Sequence, residues 1–218
     1  MNYFKGESNM SKLPWKPAFT PADVDIQESK LVYDGHYQVY ELHLKHKGFN
    51  RQWGPLVVRE QIDRFDAACV ILFDPQNDHI VMVEQIRIGL INRADKPSPW
   101  ILEIVAGLID QDETPEQTAV REAHEEAGCE VIKLIPICTF YNTPGGFTEL
   151  SHVYCGLIKP IQHPLINEPE EDEDLKIHVF TWSQVKKLRD NAWITSASTQ
   201  IAVQWLEKNR EDLIATYG

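Results

Sequence analysis

Gly107-Leu108-Ile109-Asp110-Gln111-Asp112-Glu113-Thr114-Pro115-Glu116-Gln117-Thr118-Ala119-Val120-Arg121-Glu122-Ala123-His124-Glu125-Glu126-Ala127-Gly128-Cys129 is the stretch from which the rest of the chain is read. Thr114-Pro115-Glu116-Gln117 opens a helix, with Thr as N-cap, Pro at the first helical position and Gln at the third to close a capping box. Gly128 stops it, so the predicted helix runs over Thr114–Ala127. At about 100° per residue, Ala119, Val120, Ala123 and Ala127 share one arc of about 100°, and Glu122, Glu125 and Glu126 share another. One face packs while its neighbour presents three carboxylates. Arg121 stands four residues before Glu125, where the two can pair. Glu122 and Glu126 stack about 6 Å apart, a spacing at which like charges destabilise an isolated helix and a bound cation reverses the sign. Carboxylate oxygens select hard ions, Mg²⁺ or Mn²⁺, over zinc. Mg²⁺ keeps several waters and takes one or two carboxylates plus phosphate oxygens.

The charge around this helix is uneven. The 218-residue chain carries a formal net charge of −12. Asp110 to Glu130 holds eight acidic residues and one Arg, and Glu168 to Asp174 holds six acidic residues and no base. These stretches sum to −13, which leaves +1 on everything else. Such a balance excludes a nucleic-acid binder that relies on clustered Lys and Arg. Each run, taken alone, also reads as a solvated charged face or loop. The longest apolar run, Ala67 to Phe73, is far short of the about 20 residues a membrane-spanning helix needs. The first residues show no basic patch, apolar core and cleavage site of a secretory signal, so a cytoplasmic location is expected. Cys69, Cys129, Cys138 and Cys155 have no Cys-x-x-Cys spacing, three of them sit in apolar surroundings, and the eight His are scattered, so a structural zinc site has little support.

Around the acidic helix, residues 1 to about 30, with Pro14, Pro17 and Pro21, read as an arm rather than a packed element. Tyr37 to Lys45 alternates with period two, Lys47-Gly48-Phe49-Asn50 reads as a turn, and Pro55 to Glu60 as a return strand. This unit of about sixty residues buries little alone and must pack on something else. Further strands are predicted at Ala67 to Phe73, Ile80 to Glu84, Trp100 to Ala106, Leu134 to Tyr141, Leu150 to Ile158 and Ile177 to Trp182. Helices are predicted at Ser183 to Asn191 and Ser196 to about Thr216. The order favours an α+β fold with a mixed sheet covered by helices over a doubly wound parallel sheet.

Gly107, Glu113, Arg121-Glu122, Glu125-Glu126 and Gly128, at their spacing, resemble the signature of the Nudix hydrolases. Seven fixed residue types at fixed spacing arise by chance on the order of once in a hundred million windows at roughly 7% usage each. The resemblance implies an α/β/α sandwich with a mixed sheet over residues 59–218, preceded by an N-terminal arm and antiparallel β dimerisation domain over residues 1–58. It implies Mg²⁺-dependent attack of water on a diphosphate linked to another group. Glu122 and Glu126 are then metal ligands, Glu125 a further ligand or catalytic group, and the carbonyl of Ala106 another ligand. The loop from Ala106 through Gly107 to Glu113 ends on a helix N-terminus suited to a diphosphate.

Outside the signature, the chain resembles the ADP-ribose pyrophosphatase subgroup from about residue 30 to 208. Thr143-Pro144-Gly145-Gly146 is similar to a substrate-side loop, Arg87 to a substrate-contacting residue at a strand end, and Arg59 to a second such Arg. Glu103, a carboxylate inside an apolar strand, is expected to contact ribose hydroxyls or a substrate-side Arg. His36 and Tyr37 lie where the subgroup places aromatics that stack on adenine across a homodimer interface. The second acidic run aligns with a loop whose first Glu acts as general base and joins the metal site, which points to Glu171 with Glu173 as competitor. The implied protein is a homodimeric ADP-ribose diphosphatase. The alternatives are a nucleotide-sugar diphosphatase for GDP-mannose or a UDP-sugar, and a non-catalytic ADP-ribose-sensing module.

Overall fold

The computed structural model describes residues 14–95, 98–161, 165–166 and 174–218. The chain divides into two units, Met1–Asp63 and Arg64–Gly218. In the first, β1 (Val24–Asp34), β2 (Gln38–His46) and β3 (Val57–Asp63) form an antiparallel sheet in that order. The strand β1 corrects the expected arm. Every residue of β1 is exposed, so its side chains show no burial alternation, and the ladder to β2 from Val24↔His46 to Asp34↔Gln38 holds it instead. The pairing of β3 with β2 continues to Gln38↔Asp63, five residues past the expected boundary at 58.

In the second unit, β4 (Ala67–Asp74), β5 (His79–Ile86), β8 (Val131–Tyr141), β9 (Leu150–Ile158) and β10 (Lys176–Thr181) are ordered β10-β5-β4-β9-β8. The central pair β4 and β9 is parallel and the other pairings are antiparallel, so the sheet is mixed. Every residue of β4 is buried, as a strand covered on both faces requires. Its Cys69, Ile71 and Phe73 pack with Val185 of α2 (Trp182–Asp190) and with Ala202, Val203 and Leu206 of α3 (Ala197–Tyr217). The alternate residues Ala68, Val70 and Leu72 pack with Ala119 and Ala123 of α1 (Pro115–Glu125). The result is the expected three-layer α/β/α arrangement. Val120, assigned to the packed face by its angle, is instead 42% exposed, and three small side chains, Ala119, Ala123 and Ala127, make the contact.

The predicted strand Trp100 to Ala106 is two strands, β6 (Trp100–Glu103) and β7 (Val105–Leu108). β4 and β5 pair only from Leu72↔Val81 to Asp74↔His79, and beyond that they diverge. The chain fills the wedge by pairing first with β5, through Val83↔Glu103, and then with β4, from Val70↔Val105 to Ala67↔Leu108. At the crossing, the buried Ile104 N–H donates to Thr199 Oγ1 of α3 at 3.1 Å rather than to a strand. This crossing carries Ala106 and Gly107 to α1. No helix among the described residues is long and apolar enough to cross a membrane.

Candidate active site

Local sequence fixes the start of α1. Thr114 Oγ1 accepts from Gln117 N–H at 3.3 Å and Gln117 Oε1 accepts from Thr114 N–H at 2.8 Å, the capping box read from the sequence. Glu126 caps the helix, its N–H still bonded to Glu122 O at 2.9 Å, and Gly128 leaves it at φ +61°, in the left-handed region.

Glu122 and Glu126 both turn toward β7. Glu126 is only 3% exposed, more buried than a solvent-facing arc implies, and its Oε2 accepts from Ala106 N–H at 3.2 Å. Glu122 lies so near Gly107 that a β-carbon there would stand 1.7 Å from Oε1. Arg121 binds the remaining carboxylates. Its Nε and Nη2 donate to the two oxygens of Glu113 at 2.9 and 3.0 Å, and its Nη1 donates to Glu122 and Glu125 at 2.8 Å each. Thr118 Oγ1 adds a 2.8 Å bond to Glu113. The Arg121 bonds, then the Thr118 bond, hold the Glu113 carboxyl below its ordinary range, and Arg121 in turn is raised, chiefly by Glu113. Glu113 is therefore a brace for the guanidinium that orients Glu122 and Glu125.

The donor set is all oxygen and gathers negative charge beside the half-buried Ala106 and Gly107 of β7. Among the described residues no three His, Cys, Asp or Glu side chains converge on one point as a complete metal cage. A pair of carboxylates supplemented by backbone, water and phosphate oxygens suits a hard divalent ion. A thiolate nucleophile is disfavoured, because burial pushes the Cys69, Cys129 and Cys155 thiols up to about 12.

Glu103 is 8% exposed, and its Oε2 accepts from Arg87 Nε at 2.5 Å, which gives the buried carboxylate a charged partner. Pro144 and Gly145 occupy an exposed turn closed by Gly146 and Phe147 N–H groups on Thr143 O at 3.1 and 2.9 Å. Sequence reasoning missed the network that holds this turn. Buried Glu149 accepts from Arg64 Nη1 at 3.0 Å and from Asn142 Nδ2 at 2.8 Å, and Asn142 also reaches Ser151 Oγ at 2.7 Å. Arg64 and Glu149 stand 85 residues apart, with no local signal linking them. Arg59, His36 and Tyr37 belong to the N-terminal unit. Arg59 Nη1 donates to Val58 O at 2.7 Å, and the His36 and Tyr37 rings meet edge-on at 4.8 Å after β1. Glu171 and Glu173 lie outside the described residues.

A mixed sheet between helices, with a capped acidic helix facing a strand-end glycine, defines a class of metal-assisted hydrolase sites. The NUDIX domain matches residues 63–199, and the chain belongs to the Nudix hydrolase family. It is 34% identical over 197 residues to an ADP-ribose pyrophosphatase of Haemophilus influenzae, covering 89% of this chain and 91% of that protein. It is 35% identical over 196 residues to an ADP-ribose pyrophosphatase of Escherichia coli strain K12, covering 89% and 93%. A GDP-mannose pyrophosphatase of Escherichia coli O1:K1 is 26% identical over 186 residues, covering 84% and 95%. A crystal structure of an ADP compounds hydrolase superposes with a TM-score of 0.64 at 18% identity, covering 86% of this chain and 96% of that one, which is a likeness of fold.

Proposed function

We propose that this enzyme hydrolyses the diphosphate of ADP-ribose to AMP and ribose 5-phosphate, with Mg²⁺ as cofactor and Mn²⁺ as a substitute. One observation carries the substrate: the likeness to the two ADP-ribose pyrophosphatases runs along 89% of the chain at 34% and 35% identity, against 26% for the GDP-mannose enzyme. The charged positions of the acidic helix are all present, which disfavours a non-catalytic sensing module.

Glu122, Glu126 and the Ala106 carbonyl would hold the metal, with Glu125 and Glu171 as further ligands. The ion, when bound, neutralises phosphate oxygens and lowers the pKa of the attacking water. Arg121 keeps Glu122 and Glu125 turned toward the site. Gly107 lets diphosphate oxygens approach the backbone beside the N-terminus of α1. Arg87, oriented by Glu103, and Arg59 bind the substrate, and Pro144 and Gly145 border it. Glu171, or Glu173 in its place, takes the proton as water oxygen attacks phosphorus and the bridging P–O bond breaks. A Glu171→Gln change lowers kcat on the order of a hundredfold or more, and a larger effect at Glu173 reassigns the base.

The chain acts as a homodimer, with residues 1–58 as its dimerisation and adenine-stacking domain through His36 and Tyr37. Exposed Val24, Ile26 and Leu31, which share one face of β1 opposite His46, Leu44 and Tyr40 of β2, support a covered sheet face. A monomeric mass in light scattering at micromolar concentration contradicts the dimer. Four free cysteines support a reducing, cytoplasmic compartment. The substrate test compares kcat/KM for ADP-ribose, GDP-mannose and a UDP-sugar. ADP-ribose should rank first, and a higher value for either sugar nucleotide overturns the assignment.

A further inference from the structure

Strand β5 turns alternate side chains to opposite faces of its sheet. Val81 and Val83 pack on the α1 side, whereas Ile80 and Met82 pack on the side of α2 and α3, and Glu84 continues that second row. On this face, across the sheet from the α1 carboxylates, a cavity of about 490 Å³ lies among β5, β6, β10 and the connection from α2 to α3. Trp100 and Trp193 line it and remain 48% and 55% exposed, and Leu102 contributes apolar surface. Glu84 also lines it, with Oε2 2.8 Å from His178 Nε2. A carboxylate that takes one such bond keeps lone pairs for another donor. Asp95, a second carboxylate of the wall, is held by Arg93 at 2.8 and 2.9 Å. Among the described residues, no Lys or Arg lines the cavity.

None of these side chains takes part in the proposed hydrolysis. Indole faces attract cations through the ring quadrupole, and a part-buried carboxylate beside them fixes an N–H donor. Among the described residues the lining offers an anion no Lys or Arg, its one imidazole, His178, is engaged by Glu84, and the net charge of −12 opposes an anion further. We propose that this cavity is a second ligand site, separate from the diphosphate site, which takes a planar organic cation of the aromatic amidine or amine class. Its flat body covers the indoles and its N–H groups reach Glu84.

Benzamidinium is the probe, titrated into the full chain with Mg²⁺ present and followed by calorimetry and tryptophan fluorescence. One saturable site per chain is expected. Glu84→Gln and Trp193→Ala should each weaken binding on the order of tenfold, while Trp193→Phe retains most of it. Neutral benzamide should bind at least about tenfold more weakly. Glu126→Gln should leave the affinity unchanged, which separates this cavity from the metal site. Absence of saturation, equal binding of benzamide, loss of binding in Glu126→Gln, or unchanged affinity in both Glu84→Gln and Trp193→Ala overturns the proposal.

Discussion

Gly107 and the Glu122 carboxylate share a space that has no room for one more carbon: a β-carbon at 107 would lie 1.7 Å from Glu122 Oε1, 2.2 Å from Cδ and 2.6 Å from Cγ. The clash is with the end of a side chain, so the fold can absorb it by turning Glu122 away. Gly107→Ala is therefore expected to fold with a melting temperature near that of the wild type while losing on the order of a hundredfold in kcat, because a displaced ligand misaligns the reacting groups. Full activity in a folded Gly107→Ala protein removes Glu122 from the site.

Glu126→Gln separates metal binding from folding. The amide oxygen still accepts the Ala106 N–H, and repulsion of Glu122 is relieved, so stability without metal should stay within about 1 kcal/mol of the wild type. Added Mg²⁺ should raise the wild-type melting temperature, with stabilisation of about 2.7 kcal/mol at a hundred times Kd, and leave the variant unmoved. An equal shift in both proteins contradicts the assigned role.

Thr199→Val tests the crossing between β6 and β7. The change keeps side-chain shape but leaves the buried Ile104 N–H without its acceptor at 3.1 Å. A loss of about 1–3 kcal/mol is expected from urea denaturation midpoints. A neutral effect shows that the contact does not stabilise the wedge that delivers Ala106 and Gly107.

Asp23 gives the N-terminal unit a defined acid response. Bonds from Lys47, at 2.8 Å, and from Thr20 N–H, at 2.9 Å, lower its carboxyl from 3.8 to about 2. Because the folded value lies below the unfolded one, its stabilisation is present above 3.8 and is lost as pH falls through about 2. The stability difference between wild type and Asp23→Asn should be constant above that window and shrink within it. A difference that does not change with pH contradicts the pairing.

The acidic helix was legible because its determinants are local: cap residues, a 3.6-residue period and a terminal glycine all fall within one short stretch. Arg121 with Glu125 was legible for the same reason. β1 was not, because its burial pattern lacks the alternation that marks a half-buried strand. The break at Ile104 depends on where β4 and β5 part, a property of two other strands. Val120 fell in the right arc, yet an angle does not record how far a neighbouring layer extends. Arg64 with Glu149 joins two loops across 85 residues, and only the closed sheet brings them together.

Product analysis decides the assignment of function. Purified protein given ADP-ribose and Mg²⁺ should release AMP and ribose 5-phosphate in equal amounts, stop when the metal is chelated, and fall silent in Glu126→Gln. Wild-type protein that releases no AMP, or releases it undiminished after chelation, contradicts a metal-dependent ADP-ribose hydrolase built on the carboxylates of α1.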